Sequence, residues 1–409
     1  MKILHVHDHY LPCGGAEVYF ADMVKSLEEK GHENVILYAA EKDNKYCGGE
    51  RKEYFIPPSF GFFSALPLIK KVNTIIKEVN PDIIHIQGFH GYISPLVVMV
   101  MGRMRQTIHT AHDAMAFCLN RKKIHKKENS ICTRTVGWRC LTSGCLSLFE
   151  RGTFRSTVKH MVVQEFEMSQ YRRFHKIIVT SNYMKKELIR HGVSPEKVEV
   201  LYCYLNADDE WAHYKQEEKR SNTILYVGRI EGNKGVGELI DILSMVQDIP
   251  WKAKIVGYGN YESDVRKKIN TLGLSDKIDM IGYVPHKDLA QHYADASVVV
   301  VPSYYPEPFG LVGLEAMYFG KPVVAFDVGG INEWLRDNET GFLVEFPNKN
   351  LFAERVKLLL QDNALAKKFG ENGRASVKSF LSKEGHINRL LQIYQEVINE
   401  WRPGQQDKR

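Results

Sequence analysis

Short apolar blocks alternate with longer amphipathic stretches along almost the whole chain, and that alternation restricts the fold more than any other feature. Blocks at 2–7, 34–39, 83–87, 107–111, 176–181 and 198–202 are followed by others at 223–228, 252–257, 277–281, 297–302, 322–327 and 342–345. Most are rich in Ile, Val and Leu without polar alternation, the composition of strands covered on both faces of a parallel sheet. Such strands separated by helix-length segments predict doubly wound α/β layers. The chain of 409 residues has room for two such domains. A polar stretch with little apolar periodicity, 206–222, separates the two sets of blocks and reads as a linker. The expected division is 1–205, 206–385 and a last segment, 386–409. That segment carries an amphipathic helix (Ile387, Leu390, Leu391, Ile393, Tyr394, Val397, Ile398 and Trp401) expected to cross back to the first domain.

Composition removes several classes. Apolar residues make up 44% and charged residues 25%, which argues against a largely disordered chain. The longest clean apolar run, 92–101, is interrupted by Pro95, and a membrane-spanning helix needs about 20 residues. The first residues enter a strand-like block without the basic region, apolar core and cleavage site of a signal peptide, so a cytoplasmic protein is expected. Seven cysteines, an odd number, do not read as a disulfide framework. The net charge of +6 is unevenly spread: residues 101–190 hold 18 Lys/Arg against 6 Asp/Glu, so the remainder is net acidic. This basic region is either a solvated face or a patch for an anionic partner such as a membrane surface.

Three features could carry chemistry. After the first block, Gly14-Gly15-Ala16-Glu17 opens a helical pattern over 18–30. A glycine pair at a strand-to-helix turn lets backbone N–H groups approach an anion, and the helix end adds partial positive charge. The same pair can serve the turn alone. The second half opens with Gly228-Arg229-Ile230-Glu231-Gly232-Asn233-Lys234-Gly235, where two cations five residues apart follow a strand end and suit a diphosphate. The third runs from Glu307 through Pro308-Phe309-Gly310-Leu311-Val312-Gly313-Leu314-Glu315 to Gly320, after an all-valine block at 298–301. Gly310 would let backbone approach a ligand, and Gly320 stands as a helix stop. The two carboxylates could simply complement the helix dipole. Glu315, however, lies among apolar residues, and a buried carboxylate needs donors; a vicinal diol such as a ribose would supply two.

Together these segments, with Gly320-Lys321-Pro322-Val323-Val324 through Gly329-Gly330-Ile331-Asn332-Glu333, resemble the retaining glycosyltransferases of family 4, over nearly the whole chain. The most specific element is the pair of glutamates eight positions apart followed by the Gly-Lys-Pro-Val-Val strand. The resemblance implies the GT-B fold: α/β, with two Rossmann-like domains facing a central cleft. The C-terminal domain would bind a nucleotide-sugar and the N-terminal one shape the acceptor site. It places Glu315 on the ribose hydroxyls and Glu307 on a hydroxyl of the donor sugar. Backbone N–H groups of Phe309, Gly310, Leu311 and Val312 would face the sugar and phosphates, with Arg229 and Lys234 on the diphosphate. Gly14 and Gly15 would reach that diphosphate from the other domain, Tyr283 and Val284 would pack the nucleobase, and His112, in Thr110-Ala111-His112-Asp113, would stand beside the donor sugar. Two departures from the family pattern occur: Tyr202-Cys203-Tyr204-Leu205-Asn206 replaces a common Pro-Asn-Gly-Val-Asp run, and Gly232-Asn233 precedes Lys234 where an acid is common.

The resemblance implies front-face substitution without a covalent nucleophile, and no cofactor or metal is expected. Arg229, Lys234 and helix-end N–H groups can stabilise charge growing on a departing diphosphate, and no Asp-X-Asp triplet of the metal-dependent type is evident. Cys118, Cys132, Cys140 and Cys145 are the candidates for a structural metal, yet they lack paired zinc-ribbon spacing, which favours reduced thiols packing a loop. The expected partners are a UDP- or GDP-sugar and a glycan or polyprenyl-diphosphate-linked acceptor. An anionic membrane face is a further candidate through Arg121, Lys122, Lys123, Lys126, Lys127, Arg134, Arg139, Arg151, Arg155 and Lys159, and nucleic acid is not expected. The expected role is synthesis of a surface polysaccharide or glycolipid by a cytoplasmic, peripherally bound enzyme. The competing readings are a sugar-nucleotide epimerase of the same architecture and a non-enzymatic glycan- or anion-binding protein.

Overall fold

A computed structural model describes residues 1–8, 15–39, 51–59, 62–89, 91–113, 117–119, 123–125, 130–142, 154–205, 211, 222–380 and 382–400. The chain divides into two compact units, one of residues 1–121, 133–203 and 384–409, the other of 122–132 and 204–383.

The first unit contains β1 (Lys2–His7), α1 (Gly15–Glu29), β2 (Glu33–Tyr38), β3 (Glu53–Phe55), α2 (Phe62–Val79), β4 (Ile83–Ile86), α3 (Pro95–Met104) and β5 (Thr107–Ala111). It continues, beyond the short strands β6 (Ile124–His125) and β7 (Ser130–Ile131), with α4 (Arg139–Thr142), α5 (Phe154–Arg173), β8 (Lys176–Val179), α6 (Asn182–Arg190) and β9 (Val198–Val200). Its seven strands lie in the order β3-β2-β1-β4-β5-β8-β9, all parallel. Both faces are covered: Ile3, Leu4, Val6, Ile83, Ile84 and Ile86 are all buried, which is why these strands read as unbroken apolar blocks. The 92–101 run splits at Pro95. Proline takes the first helical position, where no N–H is needed, and the Ser94 hydroxyl accepts from Leu96 N.

The second unit contains β10 (Thr223–Val227), α7 (Val236–Met245), β11 (Lys252–Val256), α8 (Glu262–Thr271), β12 (Ile278–Gly282), α9 (Leu289–Asp295), β13 (Val298–Val301), α10 (Leu311–Tyr318), β14 (Val323–Phe326), β15 (Gly341–Val344), α11 (Lys349–Gln361) and α12 (Asn363–Phe380). Its six strands run β12-β11-β10-β13-β14-β15, again all parallel. β13 is four valines, all buried; branching at Cβ favours the pleated conformation there. The helix α10 stops as the glycine implies: Gly320 takes φ +64° and its N–H reaches Met317 O at 2.9 Å.

The closing helix, α13 (Lys383–Glu400), packs on the first unit with Ile387, Leu390, Ile393, Tyr394 and Val397 buried. Polar contacts fix its register. Tyr394 OH lies 2.7 Å from His85 Nδ1, and Arg389 donates to Glu199 through Nη2 at 2.7 Å. His386 Nδ1 donates to Tyr202 O at 2.8 Å, and its Nε2 accepts from Tyr19 OH at 2.7 Å. Two small features escaped the sequence reading: β3, three residues long, and the antiparallel pair β6–β7. Neither is long enough to show periodicity.

Strand order reverses between β1 and β4 in the first unit and between β10 and β13 in the second. The carboxyl ends flanking such a switch point form a crevice in open parallel sheets. In the first unit that edge is organised by Asp8, which follows β1 and is buried. Its carboxylate accepts the backbone N–H groups of Gly91, Tyr92 and Ile93 at 2.6, 3.0 and 2.8 Å. Asp8→Ala strips the acceptor from three amides at once and is expected to lower stability by about 2–4 kcal/mol. Asp8→Asn, which keeps one acceptor oxygen, should lose less; urea unfolding of the two variants against the parent measures this.

Candidate functional site

In the second unit the predicted residues gather on the loops that follow β10 and β13. Lys234 closes a single 3-10 turn, Gly232–Lys234, and Gly235 follows in the left-handed region at φ +72°. A Cβ at Gly235 would stand 1.8 Å from Pro302 O, so only glycine lets this turn lie against the end of β13. Tyr305 N donates to Asn233 O at 3.0 Å, which joins the two loops. Lys234 Nζ then reaches Glu307 Oε1 at 2.7 Å, and Ser303 Oγ donates to the same oxygen at 2.8 Å. The ammonium also stands 5.1 Å from the centre of the Tyr305 ring. Lys234 and Glu307 are only 18% and 13% exposed, a setting in which an unpaired charge is costly.

Glu307 is held from the far side too. Gly330 N donates to Glu307 O at 2.8 Å, and a Cβ at Gly329 would stand 2.2 Å from that oxygen. The Trp334 indole donates to Phe309 O at 2.6 Å. Phe309 is buried, while Gly310, Leu311 and Val312 are partly exposed where α10 begins. The first turn of a helix has amide N–H groups without intrahelical acceptors, so this is a place where backbone donors and a fixed carboxylate lie side by side.

Glu315, four residues into α10, is 6% exposed. Its Oε2 accepts from Tyr293 OH at 2.5 Å, and its Oε1 lies 3.2 Å from His286 Nε2. Burial of Glu315 therefore does not by itself require a ligand, because the protein supplies partners. Each carboxylate oxygen still has a second lone pair. The Tyr293 hydroxyl is pushed well above its ordinary pKa, by burial first and then by the Glu315 charge. Trp211 lies beside His286, ring centres 4.6 Å apart and planes tilted by 31°.

Arg229 is turned outward: its side chain is 59% exposed and paired with Glu231 at 2.8 Å. Tyr283, 67% exposed, stands edge-on to the exposed Tyr258, with ring centres 5.6 Å apart, and Val284 beside it is partly exposed.

In the first unit His112 follows β5. Its Nε2 lies 2.8 Å from Gln87 Oε1, and its ring stands edge-on to Tyr19 of α1 at 5.6 Å. Burial lowers its pKa to about 4, so the ring is neutral at pH 7. Gly15 opens α1 and is exposed; Gly14 lies outside the described residues. Cys118, Cys132 and Cys140 are partly exposed and Cys145 lies outside the described residues; among those described, no group of three His, Cys, Asp or Glu side chains is placed to hold a metal. Lys123 is fully buried and so cannot belong to a basic face, whereas Arg134 and Arg139 are exposed. Arg121, Lys122, Lys126, Lys127 and Arg151 lie outside the described residues, as do the side chains of Arg155 and Lys159.

Sequence reasoning missed Ser303, Tyr305, His286, Tyr293, Tyr258 and Gln87. Ser303 and Tyr305 sit just ahead of Glu307 and were within reach of the motif. His286 and Tyr293 belong to a different segment from Glu315, and only the fold brings them to it.

Comparison with known proteins gives one answer for both units. Residues 13–209 match the family model described as Glycosyltransferase Family 4, and 208–376 the one described as Glycosyl transferases group 1. Alpha-D-kanosaminyltransferase of Streptomyces kanamyceticus is 28% identical over 272 residues, covering 63% of this chain and 68% of that protein. The phosphatidylinositol N-acetylglucosaminyltransferase gpi3 subunit of Schizosaccharomyces pombe is 26% identical, covering 97% of this chain and 80% of that one. Among solved structures, Anabaena HepE in complex with UDP-glucose superposes with a TM-score of 0.69 at 19% identity, covering 97% of this chain and 100% of that chain.

The buried histidines give a pH test. His5, bonded to Asn34 Oδ1 at 2.9 Å, and His386 are each lowered to about 4, mainly by burial, and His85 is lowered well below its ordinary value. Between pH 6.5 and about 4 the unfolded chain holds protons that the folded chain refuses. Stability is therefore fully present above pH 6.5 and falls as the pH drops through that window, by about 1.4 kcal/mol per pH unit for each proton taken up. Urea unfolding at pH 7, 6 and 5 should show that decline with a slope above one proton; a flat profile would contradict it.

Proposed function

This chain belongs to family 4 of the glycosyltransferases, the group 1 transferases with the GT-B fold, and on that premise we propose that it moves a sugar from a nucleotide-sugar to a glycan or lipid-linked acceptor with retention at the anomeric carbon. The product class is a surface polysaccharide or a glycolipid. Support for the donor comes from the UDP-glucose held by HepE, and support for a glycolipid acceptor from the similarity to the gpi3 subunit over 97% of this chain and 80% of that protein.

The observation that carries the reading is the Lys234–Glu307 pair beside the start of α10. A diphosphate needs cations and amide dipoles, and a sugar needs a fixed acceptor for its hydroxyls. Lys234 has three N–H donors, so it can keep Glu307 oriented and still take a phosphate oxygen. Glu307, with one oxygen held by Lys234 and Ser303, offers the other to a sugar hydroxyl. The N–H groups of Leu311 and Val312 in the first turn of α10 would then meet the charge that grows on the leaving group. Arg229, now on Glu231, has only an exposed ion pair to give up on turning to the phosphates, and such a pair is worth little. Glu315, already oriented by Tyr293 and His286, would use its remaining lone pairs for the ribose hydroxyls, with Tyr258 joining Tyr283 and Val284 beside the base. Because protein cations meet the leaving-group charge, turnover should not require a divalent metal.

No described helix is long and apolar enough to cross a membrane. A lipid-linked acceptor would instead be met at a surface, and exposed Trp138, Val162 and Val163 in the basic region suit contact with anionic lipid.

Four outcomes test this reading. In a thermal-shift screen of UDP-, GDP-, ADP- and dTDP-sugars, one base class should raise the melting temperature. Incubation of that donor alone should give no epimer, which would be the signature of the competing enzyme class. Lys234→Ala should lower kcat/KM about 10²–10³-fold while costing no more than about 1–2 kcal/mol of stability, and unchanged turnover would refute the phosphate role. Finally, flotation with vesicles containing phosphatidylglycerol should show binding that weakens with salt, and none with neutral vesicles.

A further inference from the structure

The first unit buries an unusual number of histidines around the ends of its central strands: His5 and His7 on β1, His85 on β4 and His109 on β5 are all buried. Most are satisfied by local bonds. His5 pairs with Asn34, and His109 lies between Ile86 O at 2.9 Å and Tyr171 OH at 3.2 Å. One group forms a continuous chain instead. Tyr394 OH on α13 lies 2.7 Å from His85 Nδ1, and His85 Nε2 lies 2.7 Å from Thr110 Oγ1. The amide nitrogen of Gln87 stands 3.1 and 3.0 Å from the two ring nitrogens of His85, and 3.6 Å from Met23 Sδ. Its amide oxygen lies 2.8 Å from His112 Nε2.

We propose that Gln87, packed on the Tyr394–His85–Thr110 contact, is a positioning residue that fixes the tautomer of His112: Nε2 carries the proton and Nδ1 is the bare nitrogen. The inference rests on the reading of His112 as a donor-site residue. The logic is one of donors and acceptors. Gln87 is 2% exposed, so its amide cannot turn to water. An amide with its NH2 toward the Met23 sulfur, an acceptor, and the His85 ring turns its oxygen toward His112. An amide oxygen accepts only, so His112 Nε2 must donate. A neutral imidazole has one N–H, which leaves Nδ1 as a lone pair. A bare nitrogen accepts from a hydroxyl and repels a phosphate oxygen. His112 therefore addresses a sugar hydroxyl rather than the diphosphate, and the closing helix holds the far end of the chain that sets this choice.

The test uses the full-length protein labelled with 15N in its histidine rings. The wild type should show a protonated-type shift at His112 Nε2 and a bare-type shift at Nδ1, assigned by loss of those signals in His112→Ala. Gln87→Leu should mix the tautomers and lower kcat on the order of 10-fold with KM nearly unchanged, using whichever of UDP-glucose, UDP-N-acetylglucosamine and GDP-mannose is turned over. Gln87→Glu, which keeps an acceptor, should restore the Nε2–H form. Tyr394→Phe, which removes only a hydroxyl, should shift the His85 ring signals and move those of His112 in the same direction as Gln87→Leu. A proton on Nδ1 in the wild type, or a His112 spectrum indifferent to Gln87→Leu, overturns the inference. Full activity of His112→Ala would instead overturn the donor-site reading while leaving the tautomer assignment measurable.

Discussion

A parallel strand covered on both faces has no place for a charge except beyond its ends. Ile, Val and Leu fill most of the central strands of both sheets, with hydrogen-bonded His5, His85 and His109 and the paired Lys254 among the exceptions. Many charged and hydrogen-bonding groups are consequently placed on the loops after the carboxyl ends. There Asp8, Gln87 and His112 collect in one unit, and Lys234, Ser303 and Glu307 in the other. The close glycine contacts follow from the same restriction. Loops that start from neighbouring strands must crowd together before they can share a side-chain contact, and the approach of Gly235 to Pro302 O is what such crowding requires.

The two units solve the problem of buried polar groups differently. In the second, carboxylates are met by side-chain partners: Glu307 by the Lys234 ammonium, and Glu315 by His286 and the Tyr293 hydroxyl. In the first, histidine does most of the work, and burial keeps His5, His112 and His386 neutral at physiological pH. A neutral imidazole is both donor and acceptor, so it can extend a hydrogen-bond chain through a core without the desolvation cost of an ion. The arrangement holds only while the rings stay unprotonated.

Much of this was legible in the sequence because the signals were local. The twelve apolar blocks correspond to twelve strands within a residue or two, and Glu307, Glu315 and Gly320 sit on loop, helix and stop as their spacing implied, while Gly310 also caps the helix. What was not legible depends on long-range packing. The partners of Glu315 come from residues 22 and 29 positions away. Burial of Lys123 contradicts its apparent place in a basic run, since charge counting cannot see which way a lysine points. Gln87 ends an apolar block and carries no pattern of its own. Its importance appears only when β4 is laid beside β5 and His112 comes within 2.8 Å.

The closing helix makes the first unit discontinuous. Residues 384–409 belong with residues 1–121, although the whole second unit is threaded between them in sequence. On the ribosome, the second unit can therefore be complete while the first still lacks its last layer. His85 and Tyr19 must wait for partners that are synthesised more than 300 residues later. A chain lacking residues 384–409 would keep every residue of the second unit, while the first would lose the contacts that Tyr394 and His386 make with His85 and Tyr19.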